Sequence, residues 1–308
     1  MIDNTDSVYS EPIPLQYPKA GYDPSSAKVG IINSKTSEVN WINIPGDPVQ
    51  HYLPAMQWIN EDLLLIQQLN RKQNQLVIFT YRPSSAELHK VYTETEKTWV
   101  DLRYPDISSN QWGNNDQLIV DQGKAFLRMT ETDGWRHIYK IDLRSGKKKL
   151  LTPGEYDVAS YYQTDDKNLY ISASPENATQ RYLYKIPLNG NGKLTKITLG
   201  NFEGVNTYNV APNGKYAIHS FTNAHTPRTV QLVKLPDHKS IETLVSNQNL
   251  KDQLNSLKLP ETSFFQVTTA SGIEMDARMT KPLNFDPQKK YPVLFHVYGE
   301  PWGVVATD

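Results

Sequence analysis

Short apolar stretches separated by polar turns run along most of the chain, and their pairing predicts β-hairpins. Each stretch is four or five residues long, is rich in aromatic or β-branched side chains, and is followed by a turn containing Asn, Asp, Gly or Pro. Helical periodicity is nearly absent before residue 246, so the chain is predicted to be mainly β. The predicted hairpins join residues 63–66 with 76–79, 125–129 with 138–141, 169–172 with 182–186, and 216–220 with 229–233.

The spacing of these hairpins predicts the blades of a β-propeller. Their second strands centre near residues 78, 139, 183 and 231, and propeller blades repeat at roughly 40–50 residues. The last two spacings between these centres fit that period, and the first spacing is longer because it contains an insertion around 94–112. We expect about four blades between residues 48 and 247, preceded by the tail of another at 27–44. A single large sandwich is the alternative, but it explains the steady period less well.

The pattern changes after residue 247. Leu250, Leu254 and Leu257 have helical spacing and Pro260 follows them, which predicts a short helix over 249–259. Two strands are predicted at 264–268 and 273–279, with a turn at Ser271-Gly272. The continuous apolar run at 291–299 is typical of a buried strand in an α/β sheet.

Composition and charge exclude several classes of protein. The 308 residues contain 32 basic and 33 acidic side chains, a balance that argues against a nucleic-acid partner. No apolar stretch approaches the roughly 20 residues of a membrane span, and there is no cysteine. The seven histidines show no zinc-binding spacing, so neither a metal nor another cofactor is expected.

Four motifs, taken in order, identify a family resemblance. They are Tyr-Pro-Lys-Ala-Gly at 17–21, Leu-Asn-Arg-Lys-Gln-Asn at 69–74, Asp-Gly-Trp-Arg-His-Ile-Tyr at 133–139, and Val-Tyr-Gly-Glu-Pro at 297–301. Together they resemble the dipeptidyl peptidase IV branch of the prolyl oligopeptidase family of serine peptidases. The resemblance extends from about residue 17 to the end of the chain.

The resemblance implies a fold and an activity for the parent protein. In that family an eight-bladed propeller caps an α/β-hydrolase domain with a Ser-Asp-His triad, and the enzyme removes N-terminal dipeptides with proline or alanine second. This chain would then be a partial β-propeller of about four to five blades (1–247), a linker helix (248–262) and the first strands of the hydrolase domain (263–308). The resemblance further implies a homodimer and favours a periplasmic or secreted parent.

The catalytic triad is not expected in this chain. A serine hydrolase of this fold needs a Gly-x-Ser-x-Gly turn to raise the serine hydroxyl above the sheet, and the sequence contains no such motif. In the family the triad follows the strand that corresponds to 291–299, and the paired glutamates that bind the substrate's amino group precede the motif at 17–21. We therefore expect this chain to shape and gate substrate access, and to be inactive by itself.

The resemblance assigns one catalytic residue, and the insertion after the first full blade contains candidates for substrate contact that match no family pattern. Tyr298 matches the family tyrosine whose hydroxyl donates to the oxyanion of the tetrahedral intermediate; the alternative is a buried tyrosine that fixes a loop. Trp99, Arg103 and Tyr104, in the insertion between the first two full blades, are candidates for substrate contact. His137 is interpreted as a histidine packed within a blade rather than a catalytic base.

A second hypothesis belongs to a different functional class. The chain could be a stand-alone, propeller-like scaffold that binds a peptide or protein partner through blade edges or loops. The hydrolase-like run at 291–299 argues against it, because a binding module has no use for that segment.

Overall fold

The computed structural model describes residues 2–3, 5, 8–14, 17–102, 118–164, 167–299 and 303–308. The chain divides into two compact units. The first consists of Met1–Val100 and Leu143–Gly146, and the second of Asp101–Asp142 and Lys147–Asp308. The named strands of both units pair in antiparallel sheets.

The described residues of the first unit form three sheets. Strand β1 pairs with β2 and β3 pairs with β4, while β5 to β9 form a five-stranded sheet in which both β5 and β6 pair with β7. The strands are β1 (Ile2–Asp3), β2 (Glu11–Pro12), β3 (Val29–Ile32), β4 (Val39–Ile42), β5 (His51–Tyr52), β6 (Met56–Asn60), β7 (Leu63–Asn70), β8 (Gln75–Arg82) and β9 (Glu87–Thr95).

The core of the first unit lies between two of these sheets. Ile66 of β7 is the cross-strand partner of Phe79 of β8, and both side chains are buried. They pack against Val29 of β3 and Ile42 of β4. The strand pair β3–β4 is therefore stacked on the β5–β9 sheet, as the predicted partial blade at 27–44 requires.

The second unit contains three four-stranded sheets in its described residues, followed by a helix and a two-stranded sheet. The sheets follow chain order, β10 to β13, β14 to β17 and β18 to β21. The elements are β10 (Ile119–Val120), a 3₁₀ turn (Asp121–Gly123), β11 (Ala125–Thr130), β12 (His137–Asp142), β13 (Lys148–Leu150), β14 (Val158–Thr164), β15 (Asn168–Ala173), β16 (Tyr182–Pro187), β17 (Thr195–Lys196), β18 (Val205–Val210), β19 (Tyr216–Asn223), β20 (Thr226–Lys234), β21 (Lys239–Val245), α1 (Gln248–Ser256), β22 (Thr262–Thr268) and β23 (Glu274–Thr280).

Strand β15 shows how the sheets of the second unit stack. Leu169 and Ile171 pack with Leu127 of the β10–β13 sheet, whereas Tyr170 between them packs with Val233 of the β18–β21 sheet. Successive residues of a strand point to opposite faces, so the β14–β17 sheet is buried on both sides by its neighbours. Face-to-face stacking of four-stranded antiparallel sheets is the arrangement of propeller blades.

The predicted hairpins and the blade count are confirmed. The four predicted strand pairs are β7–β8, β11–β12, β15–β16 and β19–β20. Each belongs to a separate sheet, and β3–β4 supplies the preceding part-blade. The chain is mainly β and forms a partial propeller of four to five blades.

The predicted helix and the following hairpin are also present. Helix α1 is shorter than predicted, since Leu257 has an extended backbone. The residue before a proline also disfavours helical geometry, so Leu259 could not have continued the helix to Pro260. Strands β22 and β23 pair along their whole length around the turn at Ser271-Gly272.

The prediction of a buried strand at 291–299 is wrong. This segment belongs to no strand, and its apolar side chains are exposed, with Leu294 95% accessible. A strand requires a neighbouring strand to bond its backbone N–H and C=O groups. None of the described residues provides such a partner.

Candidate functional site

Tyr298 lies in the exposed segment that follows the β22–β23 hairpin. Its side chain is 51% accessible within this chain. The segment starts at a folded turn: the Asp286 N–H donates to the Tyr291 hydroxyl over 2.9 Å, and the rings of Phe285 and Tyr291 stack at 5.2 Å. The segment that carries Tyr298 therefore begins at a turn that these two contacts hold in place.

Trp99 lies where the chain leaves the β5–β9 sheet, and a hairpin of that sheet holds its backbone. The Val100 N–H donates to the Gln73 carbonyl over 2.8 Å, and the Glu96 N–H donates to the Asn74 carbonyl over 2.9 Å. The indole of Trp99 is partly exposed. Arg103 and Tyr104, predicted beside it, lie outside the described residues.

Asn70 explains why the Leu-Asn-Arg-Lys-Gln-Asn motif forms this hairpin. Its side-chain oxygen accepts hydrogen bonds from the backbone N–H groups of Asn74 and Gln75, both over 3.0 Å. Its amide nitrogen donates to the Asn74 side chain over 2.8 Å. Gln73 has a positive φ of 58°, a conformation that a non-glycine residue adopts only when its surroundings hold it there. The motif is thus a turn that presents the Gln73 carbonyl to the segment of Trp99.

Two arginines converge on Asp101, at the start of the second unit. The Arg128 guanidinium donates to the Asp101 carbonyl over 2.7 Å, and the Arg136 guanidinium pairs with the Asp101 carboxylate at 3.3 Å. Arg128 is only 1% accessible although it lies in the apolar strand β11. Sequence analysis missed this cluster. The available signal was a charged residue inside an apolar strand, which is costly unless it is paired.

The Asp-Gly-Trp-Arg-His-Ile-Tyr motif forms a cluster of hydrogen-bonded polar side chains at the start of β12. The Asp133 carboxylate lies 2.8 Å from His137 Nδ1 and 2.8 Å from the Tyr139 hydroxyl. Burial raises the pKa of Asp133, but the hydrogen bonds from His137 and Tyr139 outweigh it, and the pKa lies below its usual value. Gly134 has a φ of 94°, which favours glycine at this turn.

His137 itself is buried and packs edge-on against Tyr156, with ring centroids 5.7 Å apart. A general base must reach the proton that it removes, and a fully covered imidazole cannot meet a substrate. This environment agrees with the interpretation of His137 as a histidine packed within a blade.

A second buried histidine, His219, sits in a fully bonded network that sequence analysis did not predict. Its Nε2 lies 2.7 Å from Asn206 Oδ1, and its Nδ1 lies 2.9 Å from Gln231 Nε2. An amide nitrogen can only donate, so Nδ1 accepts and the ring is the neutral Nε2–H form. Burial and the neighbouring His238 lower the pKa of His219 to about 3. The network keeps a neutral ring inside the last blade.

Within the described parts of the chain, no group of three His, Asp or Glu side chains comes together as a metal site. The described segments also contain no helix long and apolar enough to cross a membrane.

The stacked four-stranded sheets define part of a β-propeller, and comparisons with known proteins give its relatives. The family profile described as "Dipeptidyl peptidase IV (DPP IV) N-terminal region" matches residues 1–228. The chain therefore belongs to the dipeptidyl peptidase IV family and forms part of its propeller region.

Individual relatives agree with the family match. Over 300 residues the chain is 26% identical to dipeptidyl peptidase 4 of Trichophyton equinum and to that of Trichophyton rubrum, covering 95% of this chain and 37% of each relative. The crystal structure of Porphyromonas gingivalis dipeptidyl peptidase 4 superposes with a TM-score of 0.78 at 26% identity, covering 95% of this chain and 40% of that one. The chain thus spans less than half the length of these relatives.

Proposed function

We propose that this chain is the propeller and linker portion of a serine exopeptidase that releases N-terminal dipeptides with proline or alanine in second position. The observation that carries the proposal is the extent of the match. It covers 95% of the chain and therefore extends beyond the blades, whose last strand ends at Val245. A peptide-binding scaffold would need the blades but not the segment that follows them.

Tyr298 is the one catalytic group that we assign within the chain. As an oxyanion-hole donor, its hydroxyl would donate a hydrogen bond to the negatively charged oxygen of the tetrahedral intermediate. Such a bond is stronger in the transition state than with the neutral carbonyl of the substrate, which is the condition for catalysis. The place of Tyr298 in the Val-Tyr-Gly-Glu-Pro motif at 297–301 supports this role.

The propeller would contribute access and substrate contact. We propose that Trp99 is a contact residue, together with Arg103 and Tyr104, because its partly exposed indole follows a hairpin that fixes its backbone. We place the propeller at 1–247, the linker helix at 248–262 and the start of the hydrolase domain at 263–308. The serine, aspartate and histidine of the triad would lie in the rest of a full-length, homodimeric enzyme.

A peptide panel tests the substrate class. The full-length gene product is incubated with peptides that differ only at the second residue (Pro, Ala or Leu), and the products are identified by mass spectrometry. We expect the N-terminal dipeptide from the Pro and Ala peptides, none from the Leu peptide, and complete loss of activity with a fluorophosphonate that acylates reactive serines. N-acetylated Pro peptides are the matched control and should remain intact. Release of single residues, or cleavage within the acetylated peptides, would contradict the proposal.

A further inference from the structure

Three Asn-Gly pairs occur in the sequence, with asparagines at positions 189, 191 and 213. In such a pair the backbone nitrogen of glycine can attack the asparagine side chain, because glycine has no side chain to hinder the approach. The first two pairs lie in the β16–β17 turn and the third in the β18–β19 turn, and all three asparagines are exposed. Local sequence therefore does not distinguish the pairs, but their hydrogen bonds do.

In two of the pairs the glycine nitrogen is held by its own turn. The Gly190 N–H donates to the Pro187 carbonyl over 3.0 Å, and the Gly214 N–H donates to the Ala211 carbonyl over 2.8 Å. Each of these bonds must break before the nitrogen can lose its proton and approach the preceding asparagine side chain. Attack on Asn189 and on Asn213 is therefore hindered in the folded chain.

The nitrogen of the third pair has no such restraint. No described residue accepts a hydrogen bond from the Gly192 N–H, and both Asn191 and Gly192 are exposed to solvent. A base in solution can therefore reach this N–H directly. The Asn191 N–H, in contrast, donates to Asn189 Oδ1 over 3.0 Å, which occupies the side chain of the first pair.

Lys149 of the neighbouring sheet makes the Asn191 side chain a better electrophile. Its ammonium group donates to Asn191 Oδ1 over 2.7 Å and to the Asn189 carbonyl over 2.6 Å. A Cβ atom on Gly190 would lie 2.7 Å from Lys149 Cε, so the glycine gives the lysine side chain room to cross the turn. A cation bonded to an amide oxygen stabilises the negative charge that forms on this oxygen when a nucleophile adds to the carbon.

We propose that Asn191 is a site of spontaneous deamidation that Lys149 promotes. The Gly192 nitrogen gives its proton to a base in solution and bonds to Asn191 Cγ, the Cγ–Nδ2 bond breaks, and the side-chain nitrogen leaves as ammonia. One water molecule then opens the resulting succinimide ring to aspartate or isoaspartate, with no oxidation or reduction. An aspartate at this position would face the Lys149 ammonium, so a hydrogen bond between neighbouring blades would become an ion pair.

The choice of site is tested by peptide mass spectrometry of the full-length gene product after storage at mildly alkaline pH, with fragment ions assigning each asparagine. In the folded protein, Asn191 should convert about fivefold faster than Asn189 or Asn213, because the glycine of each slower pair must first break a turn hydrogen bond. In urea these bonds and the lysine contact are lost, so the three rates should become similar. Conversion of Asn189 or Asn213 at the rate of Asn191 in the folded protein would overturn the proposal.

The role of Lys149 is tested with variants of the same protein. Lys149→Met should slow conversion of Asn191 in the folded protein by about threefold, as expected for an exposed charged contact. Lys149→Arg keeps the cation and should retain most of the rate. Lys148→Met is the matched control, since Lys148 lies 5.0 Å from the centre of the Tyr139 ring and should not affect Asn191.

Two results would remove Lys149 from the proposal. An unchanged rate at Asn191 in Lys149→Met would show that the ammonium group does not assist the reaction. An equal slowing in urea would show that the effect does not depend on the contact across the two blades. Neither result depends on whether the full-length protein is a peptidase.

Discussion

At the scale of single residues, several buried polar side chains are hydrogen-bonded in groups of three. Arg128 and Arg136 share Asp101, His137 and Tyr139 share Asp133, and His219 bonds both Asn206 and Gln231. A buried polar group costs free energy when it loses its partner. Replacing one member of a set should therefore affect more than one contact.

Tyr298→Phe removes the proposed oxyanion donor and little else. In the full-length enzyme we expect kcat on a Gly-Pro amide to fall by about 100-fold with a small change in KM, as for loss of one oxyanion-hole donor. Steady-state kinetics measures both constants. Tyr216→Phe, at an exposed tyrosine of β19, is the matched control and should behave as wild type. Activity of Tyr298→Phe within twofold of wild type would remove Tyr298 from the catalytic machinery.

His219 should make stability depend on pH. Burial and the neighbouring His238 lower the pKa of His219 from 6.5 to about 3. Between these two pH values the imidazole is protonated in the unfolded chain and neutral in the folded chain. Stability should fall as pH decreases through this window, by up to about 1.4 kcal/mol per pH unit. His219→Gln should lower the urea midpoint at pH 7, and it should flatten the decline between pH 7 and 4.

The control for this experiment is His89→Gln, at an exposed position of β9. It should keep the wild-type pH dependence. If His219→Gln retains the full decline as well, the buried imidazole is not the group responsible.

At the scale of secondary-structure elements, the hairpins follow from local sequence. Asn70 holds the β7–β8 turn through three hydrogen bonds. Asn70→Ala should therefore lower the free energy of unfolding by about 1–3 kcal/mol, because two backbone N–H groups lose their acceptor. Urea unfolding measures the change. Lys72→Ala, at an exposed position of the same turn, should leave the midpoint within error, and an equal loss in both variants would contradict the role of Asn70.

Sequence analysis could predict these elements because the information is local. Strands β7 and β8 are apolar segments on either side of a recognisable turn sequence. Strand β15 has apolar side chains on both faces because its sheet is stacked between two neighbouring blades. The segment at 291–299 is apolar like these strands, but it belongs to no strand. A strand exists only with a partner, and the segment's own composition does not specify one.

The site residues were less predictable for the same reason. Tyr298 could be selected through a family motif and Trp99 through its place in the insertion after the first full blade, whereas no motif indicated Asp101. Arg128 reaches Asp101 across 27 positions of sequence, and His219 reaches Asn206 across 13. Contacts of that range depend on how the strands and blades come together, which no local pattern records.

At the scale of the whole molecule, the chain corresponds to a part of its dipeptidyl peptidase relatives. It belongs to the dipeptidyl peptidase IV family and covers 37–40% of the relatives that it matches. Its described residues supply stacked blades, a linker helix and a segment bearing Tyr298. We expect the nucleophile to lie outside these 308 residues, since no Gly-x-Ser-x-Gly motif occurs among them.

Hydrolysis of a Gly-Pro chromogenic amide by the purified 308-residue chain, compared with the full-length gene product, tests this account most directly. We predict release of the chromophore by the full-length protein and none above background by the 308-residue chain. Hydrolysis by the short chain would contradict the account, because it would require a nucleophile among these residues. Absence of hydrolysis in both would contradict the assignment to a dipeptide-releasing peptidase.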